Sequence, residues 1–234
     1  MAAAGGGGYT ATAVVFDGTN DYLNRGADLS SNADAKTFIF SAWVNLQAAA
    51  TNRLYITANS RLHIRFDNTG QLLLTAANTA GTNILVATVT SPTVSTSAWT
   101  HIAVAIDLAN SANRSVYIGG TLATVTWTTY TNANIDFTDT DHYIGSSAAP
   151  AVSLNAYIAE YYLAFGQYLD LSTNLTKFRT SGNKPVSLGS NGATPTGSQP
   201  SIYLAGTAST FATNKGAGGG FTVTGTLTDA PSAP

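Results

Sequence analysis

Trp99-Thr-His-Ile-Ala-Val-Ala-Ile-Asp107, a polar turn over 108–113, and Arg114-Ser-Val-Tyr-Ile-Gly-Gly120 decide how this chain folds. Thr100, Ile102, Val104 and Ile106 fall on one face at period two, and Val116 and Ile118 resume the pattern after the turn. The stretch reads as a long β-hairpin. An apolar face of that size needs a second layer to cover it, so the hairpin predicts one sheet packed on another.

The flanking sequence carries the same signal. Thr37-Phe-Ile-Phe-Ser-Ala-Trp-Val-Asn-Leu46 alternates, with Phe38, Phe40, Ala42, Val44 and Leu46 on one side and Ile39, Ser41, Trp43 and Asn45 on the other. Arg61-Leu-His-Ile-Arg-Phe66 and Gln71-Leu-Leu-Leu-Thr75 predict a hairpin across the turn at 67–70, with Arg61, His63 and Arg65 on a wet face that either holds an anion or is simply solvated. Further strands are expected over 84–90, 121–130, 154–165 and 201–204. Leu171, Leu175 and Phe178 sit at helical spacing, so 170–179 reads as the one short helix, capped by Ser172 and Thr173. Residues 1–8 are expected to form a flexible glycine-rich arm and 9–180 the all-β body. Residues 181–234 form a Gly/Pro-rich extension with one or two short strands, laid over the sandwich or over a neighbouring subunit.

Composition narrows the classes of function. The 234 residues suit one β-sandwich domain. With 9% charged residues, a net charge of -2 and no basic cluster, nucleic acid is not an expected partner. There are no cysteines, which excludes disulfides and thiolate metal sites. No apolar run approaches the roughly 20 residues of a spanning helix, so no membrane insertion is expected. The N-terminus lacks the basic and apolar regions of a signal peptide, so no Sec-type export is expected either.

Several residues are candidates for chemistry. Asp136, Asp139 and Asp141 lie in one short loop with His142, and hard oxygen ligands at this density suit calcium as well as they suit a solvated loop. Asp17, Asn20 and Asp21 make an Asx-type turn that offers a similar, weaker cation site. Trp43, Trp127 and Tyr130 are the aromatic rings placed to stack on a sugar, the alternative for each being packing in the core. Catalysis is not expected. Glycoside hydrolysis needs two carboxylates about 5 to 5.5 Å apart for retention, and Glu160 is the only glutamate, flanked by Ala159 and Tyr161 in an apolar run. No Gly-x-Ser-x-Gly elbow and no phosphate-cradling loop is present.

Phe16-Asp-Gly-Thr-Asn-Asp-Tyr-Leu23, Phe38-Ile-Phe-Ser-Ala-Trp-Val44, the Trp99–Asp107 strand, Val116-Tyr-Ile-Gly-Gly120, Tyr143-Ile-Gly145 and Leu154-Asn-Ala-Tyr-Ile-Ala-Glu160 come in the order seen in laminin-G-like domains. Over residues 9–170 the chain therefore resembles the concanavalin A-like lectin/glucanase superfamily. That resemblance implies a jelly-roll sandwich of two curved antiparallel sheets. Residues 181–197 and 214–225 look like the C-terminal part of tailed-bacteriophage structural proteins that carry this domain. The combined resemblance implies a non-enzymatic virion component on the particle exterior, a capsid decoration or tail-associated protein. Its partners would be other virion proteins and copies of itself. The alternative is an adhesin module that recognises host-surface glycans.

Overall fold

The computed structural model describes residues 8–47, 54–58, 61–147 and 152–234, with backbone alone at 54–58, so most of the expected N-terminal arm, 1–7, lies outside the described residues. In chain order the strands are β1 (Val14–Asp17), β2 (Tyr22–Arg25), β3 (Thr37–Leu46), β4 (Leu54–Ala58), β5 (Leu62–Phe66), β6 (Leu72–Ala77), β7 (Asn83–Ser91), β8 (Thr100–Asp107), β9 (Arg114–Ile118), β10 (Thr121–Leu122), β11 (Thr124–Tyr130), β12 (His142–Ile144), β13 (Asn155–Phe165), β14 (Ile202–Leu204), β15 (Thr222–Thr224) and β16 (Thr228–Asp229). Two short helices, α1 (Leu171–Asn174) and α2 (Ala208–Phe211), punctuate the C-terminal third. The first sheet runs β10-β9-β8-β3-β13-β1-β16, with β14 also on β13, and the second runs β11-β7-β6-β5-β4-β12-β2-β15.

The hairpin forms as its periodicity predicts. Ile102 pairs with Ile118 and Val104 with Val116, and their side chains enter the core between the sheets. The opposite face of β8 is buried too, with His101, Ala103 and Ala105 all at 0% exposure. Its cover is the C-terminal segment, whose Leu171, Phe178, Leu188 and Tyr203 pack on Ile39, Ala103, Ala105, Tyr162 and Ala164. Alanines on the outer face of β8 leave room for that third layer. Arg179 pins it in place by donating from Nη1 to the Gly119 carbonyl at 2.9 Å. Gly120 has φ +87°, and a Cβ there would overlap the Arg179 guanidinium, so this turn needs glycine on both counts.

Two local expectations are corrected. The helix expected over 170–179 is one turn of α-helix followed by a 3-10 turn, Leu175–Lys177, and its cap is Asp170, which accepts from the Ser172 N–H at 2.9 Å. Ser172, Thr173 and Asn174 are poor interior helix residues because their side chains compete for the backbone. The strand expected over 121–130 breaks at Ala123: β10 stays on β9, whereas β11 crosses to β7 in the second sheet. The C-terminal extension lies on the chain's own sheets, since β14 pairs with β13, β15 with β2 and β16 with β1.

The longest strand, β13, contains one extra residue relative to β3. Ala159 pairs with Trp43, but Tyr162 pairs with Ser41, so the register slips by one at Glu160 and Tyr161. Glu160, at the inserted position, has φ +50°, in the left-handed region. Ile158 and Tyr161 both reach the inter-sheet core, while Ala159 and Tyr162 both face the outer layer. Strict alternation would have carried Glu160 into the core. Deletion of Glu160 should therefore leave the alternation intact, and the variant should keep its far-ultraviolet β signature and a single cooperative unfolding transition. Deletion of Leu163 forces either Phe165 out of the core or Glu160 into it, and the same circular-dichroism melt should lose cooperativity.

Candidate functional site

Where the chain crosses from β10 to β11, the sandwich edge holds a groove of about 320 Å3, lined by Asn113, Arg114, Tyr117, Leu122, Tyr168 and Asp170. That volume is within the range of small-ligand sites. One wall comes from the β8–β9 turn. Asp107 shapes this turn by accepting from the Ala109 N–H at 3.0 Å and from Asn113 Nδ2 at 3.0 Å. Tyr117 points away from the core because its neighbours Val116 and Ile118 point into it. The other wall is the start of α1, where hydrogen bonds from the Ser172 hydroxyl and N–H hold the Asp170 carboxyl below the usual carboxylate range. Burial, with Asp170 and Asp107 nearby, pushes the Tyr168 phenol up. Leu122 stands at the rim, 61% exposed.

Behind this wall Arg114 is held by two of the rings singled out from the sequence. Its guanidinium carbon lies 4.8 Å from the Trp127 ring centre and 4.7 Å from that of Tyr130, contacts worth about 0.5–2 kcal/mol each. The two rings meet edge to face at 5.6 Å. Tyr130 donates its hydroxyl to the Asp107 carbonyl at 2.8 Å, and burial raises its phenol to about 12. The groove thus joins two tyrosine rings, an ionised carboxylate, an amide and a pre-positioned arginine. A sugar ring presents an apolar C–H face edged by hydroxyls. Planar rings cover such a face, and the polar groups bind the hydroxyls.

The remaining sequence candidates are placed elsewhere. Trp43 is 1% exposed and packs with Ala11, Ala13 and Ala159, so it offers no ring face to solvent. In the acidic loop, Asp136 pairs with Arg61 at 3.1 Å, and Asp139 accepts from the Thr140 N–H at 2.9 Å. Asp141 is exposed. Among the described residues no three His, Cys, Asp or Glu side chains are gathered to hold a metal. Asp17 makes the expected Asx turn to Thr19 and Asn20, and Asp21 accepts from the Thr226 N–H at 2.7 Å, tying this turn to the C-terminal tail. His63 and Arg65 sit on the outward face of the second sheet, half-buried.

Sequence reasoning missed Tyr117, Tyr168 and Asp170 as partners, because their meeting depends on the C-terminal layer crossing the hairpin. It also missed the environment of Glu160. This carboxylate is 3% exposed and accepts from the Tyr9 hydroxyl at 2.5 Å and the Tyr203 hydroxyl at 2.8 Å. Burial pushes its carboxyl up, against the two phenols and Lys215, which pull it down.

The two sheets form a concanavalin A-like jelly-roll sandwich. Residues 17–164 match the profile of the concanavalin A-like lectin/glucanases superfamily, and the chain belongs to it. Among solved structures, a candidate carbohydrate binding protein from Bacteroides ovatus matches with 16% identity and a TM-score of 0.63, over 95% of this chain and 60% of its own. The chain thus spans under two thirds of that protein's length. A heptameric pentraxin from Limulus polyphemus matches at 13% identity and TM-score 0.49, over 68% of this chain and 78% of its own. Domains LG4-5 of the mouse laminin alpha1 chain match at 14% and 0.46, over 70% and 43%. No curated protein matches the sequence.

Two buried histidines give the fold a pH dependence. Burial, with the Arg179 charge nearby, pushes the His101 imidazole down to about 3. Burial also lowers His142, against the opposing pull of Asp28 and Asp139. The unfolded chain takes up these protons near pH 6.5 while the folded chain does not. The His101 contribution therefore falls as pH drops below about 6.5, by up to about 1.4 kcal/mol per pH unit, and His142 acts in the same direction. Urea melts between pH 7 and 5 should show the midpoint falling, and His101→Asn should flatten the slope.

Proposed function

We propose that this chain is a non-catalytic carbohydrate-binding module, and that the groove between residues 112–117 and 168–172 is its glycan site. The observation that carries this reading is the placement of Tyr117, Tyr168 and Asp170 around one cavity of about 320 Å3 at the sandwich edge. The fold alone would not suffice, since the superfamily covers unrelated activities. Catalysis is disfavoured by the chemistry of Glu160, whose two carboxylate oxygens are each engaged by a tyrosine hydroxyl, from Tyr9 and from the buried Tyr203.

The resemblance of residues 181–197 and 214–225 to phage structural proteins bears on where such a module is displayed. On a virion exterior, the groove would face host-surface glycans. Anchoring to neighbouring subunits would compete with contacts these segments already make within the chain, since Thr222–Thr224 pairs with β2 and Leu188 packs on the outer face of the first sheet.

A glycan array with the full chain should give saturable binding, and titration of the best binder should weaken by about five-fold or more in Tyr117→Leu, which keeps an apolar contact but removes the ring. Asp170→Asn keeps the helix cap and should weaken binding through loss of the charged acceptor. Binding through this groove should survive EDTA, and chelator-sensitive binding would contradict a metal-free site there. Absence of glycan binding, or unchanged affinity in both variants, contradicts the reading.

A further inference from the structure

We propose that the outer face of the first sheet carries a second saccharide subsite, closed in this state by the chain's own N-terminal segment. The proposal rests on the reading of the chain as a glycan-binding module, but it concerns different residues. Trp99 and Tyr157 lie half-buried with ring centres 6.4 Å apart. Moving along the same face, Trp43 comes next at the register position of Ala159, and then Glu160 and Tyr203. Three kinds of group that recognise a neutral sugar, flat rings, a carboxylate and a phenol, thus follow one another on one face.

The cover is thin. On the Trp43 side it consists of Ala11, Ala13 and Ala230, each contributing a single methyl group. Among the described residues, its polar ties outside the β1 ladder include the Tyr9 hydroxyl on Glu160 at 2.5 Å, the Ala230 N–H on the Ala13 carbonyl at 2.9 Å, and Trp99 Nε1 on Ser232 Oγ at 3.3 Å. Tyr9 itself gives Glu160 what a sugar hydroxyl would give, a neutral O–H donor to a buried carboxylate. Lys215, over the Tyr203 ring at 5.6 Å, supplies the nearby positive charge, so the occupant that fits is uncharged. Glu160 keeps a left-handed backbone in the middle of a strand. Such strain persists only where the surroundings hold it and is concentrated at functional positions.

A closed cover reduces apparent affinity by the fraction of time it is open. Loosening it should therefore tighten binding. Tyr9→Phe removes the tie to Glu160 and keeps the ring. The expected result is increased acrylamide quenching of tryptophan fluorescence, together with about ten-fold tighter binding of cellotetraose. Ala11→Gly thins the cover without touching Glu160 and should shift both readouts in the same direction, which covers the case in which Tyr9→Phe fails to fold. The gain should persist in a Tyr117→Leu background, because the edge groove is a separate site. If that background loses all binding, including the gain, the ligand sits only at the edge groove and the second subsite is wrong. Unchanged quenching, or increased quenching with unchanged affinity, also overturns it.

Discussion

Glu160 holds a left-handed backbone in the centre of the longest strand, with a tyrosine hydroxyl on each carboxylate oxygen. The backbone strain costs about 1–3 kcal/mol, whereas hydrogen bonds to a charged group contribute about 1.5–3 kcal/mol each. Two such bonds outweigh the strain and offset part of the desolvation of the carboxylate. The bulge that results has consequences on both faces. It sends Ile158 and Tyr161 into the inter-sheet core and returns Ala159 and Tyr162 to the outer layer. It also divides the neighbouring edge of β13 between two partners, β1 pairing before Glu160 and β14 after it.

That division explains why the C-terminal third is integral to the fold. β14 completes the first sheet beyond the bulge, and the residues on either side of it, from Leu171 to Ala205, form a lid on the outer face of β3, β8 and β13. A sandwich normally leaves its outward faces to solvent. Here the first sheet is covered on both sides, which accounts for the alanines and the neutral His101 on its outer face. On the second sheet the outward His63 and Arg65 are half-buried. The edge groove arises at the boundary of these regimes, between the β8–β9 turn and the first turn of the lid.

Much of the fold was legible in the sequence. Period-two alternation in 37–46, 99–107 and 114–118 specifies strands whose inward faces are those the structure buries, since it reports local geometry that tertiary packing then reinforces. What alternation cannot report is a bulge, because Ala159-Glu160-Tyr161 looks the same with or without an inserted residue. The cover over Ala103 and Ala105 was equally hidden. A run such as His101-Ile-Ala-Val-Ala-Ile106 reads as one buried face until a distant segment is placed on the other. Of the three rings read as sugar platforms, Trp127 and Tyr130 lie together because they are on one strand, but they hold Arg114. Trp43 is taken up by the N-terminal segment. The groove residues Tyr117 and Tyr168 are 51 positions apart in the chain, and only the lid brings them together.

Glycan recognition is proposed for the sandwich edge. The most direct test is amide chemical-shift mapping on the isotope-labelled full chain, titrated with the best ligand from an array. Perturbations concentrated at 112–117 and 168–172 are the predicted result. Perturbations confined to 63–75 and 86–88, on the outward face of the second sheet, would contradict it.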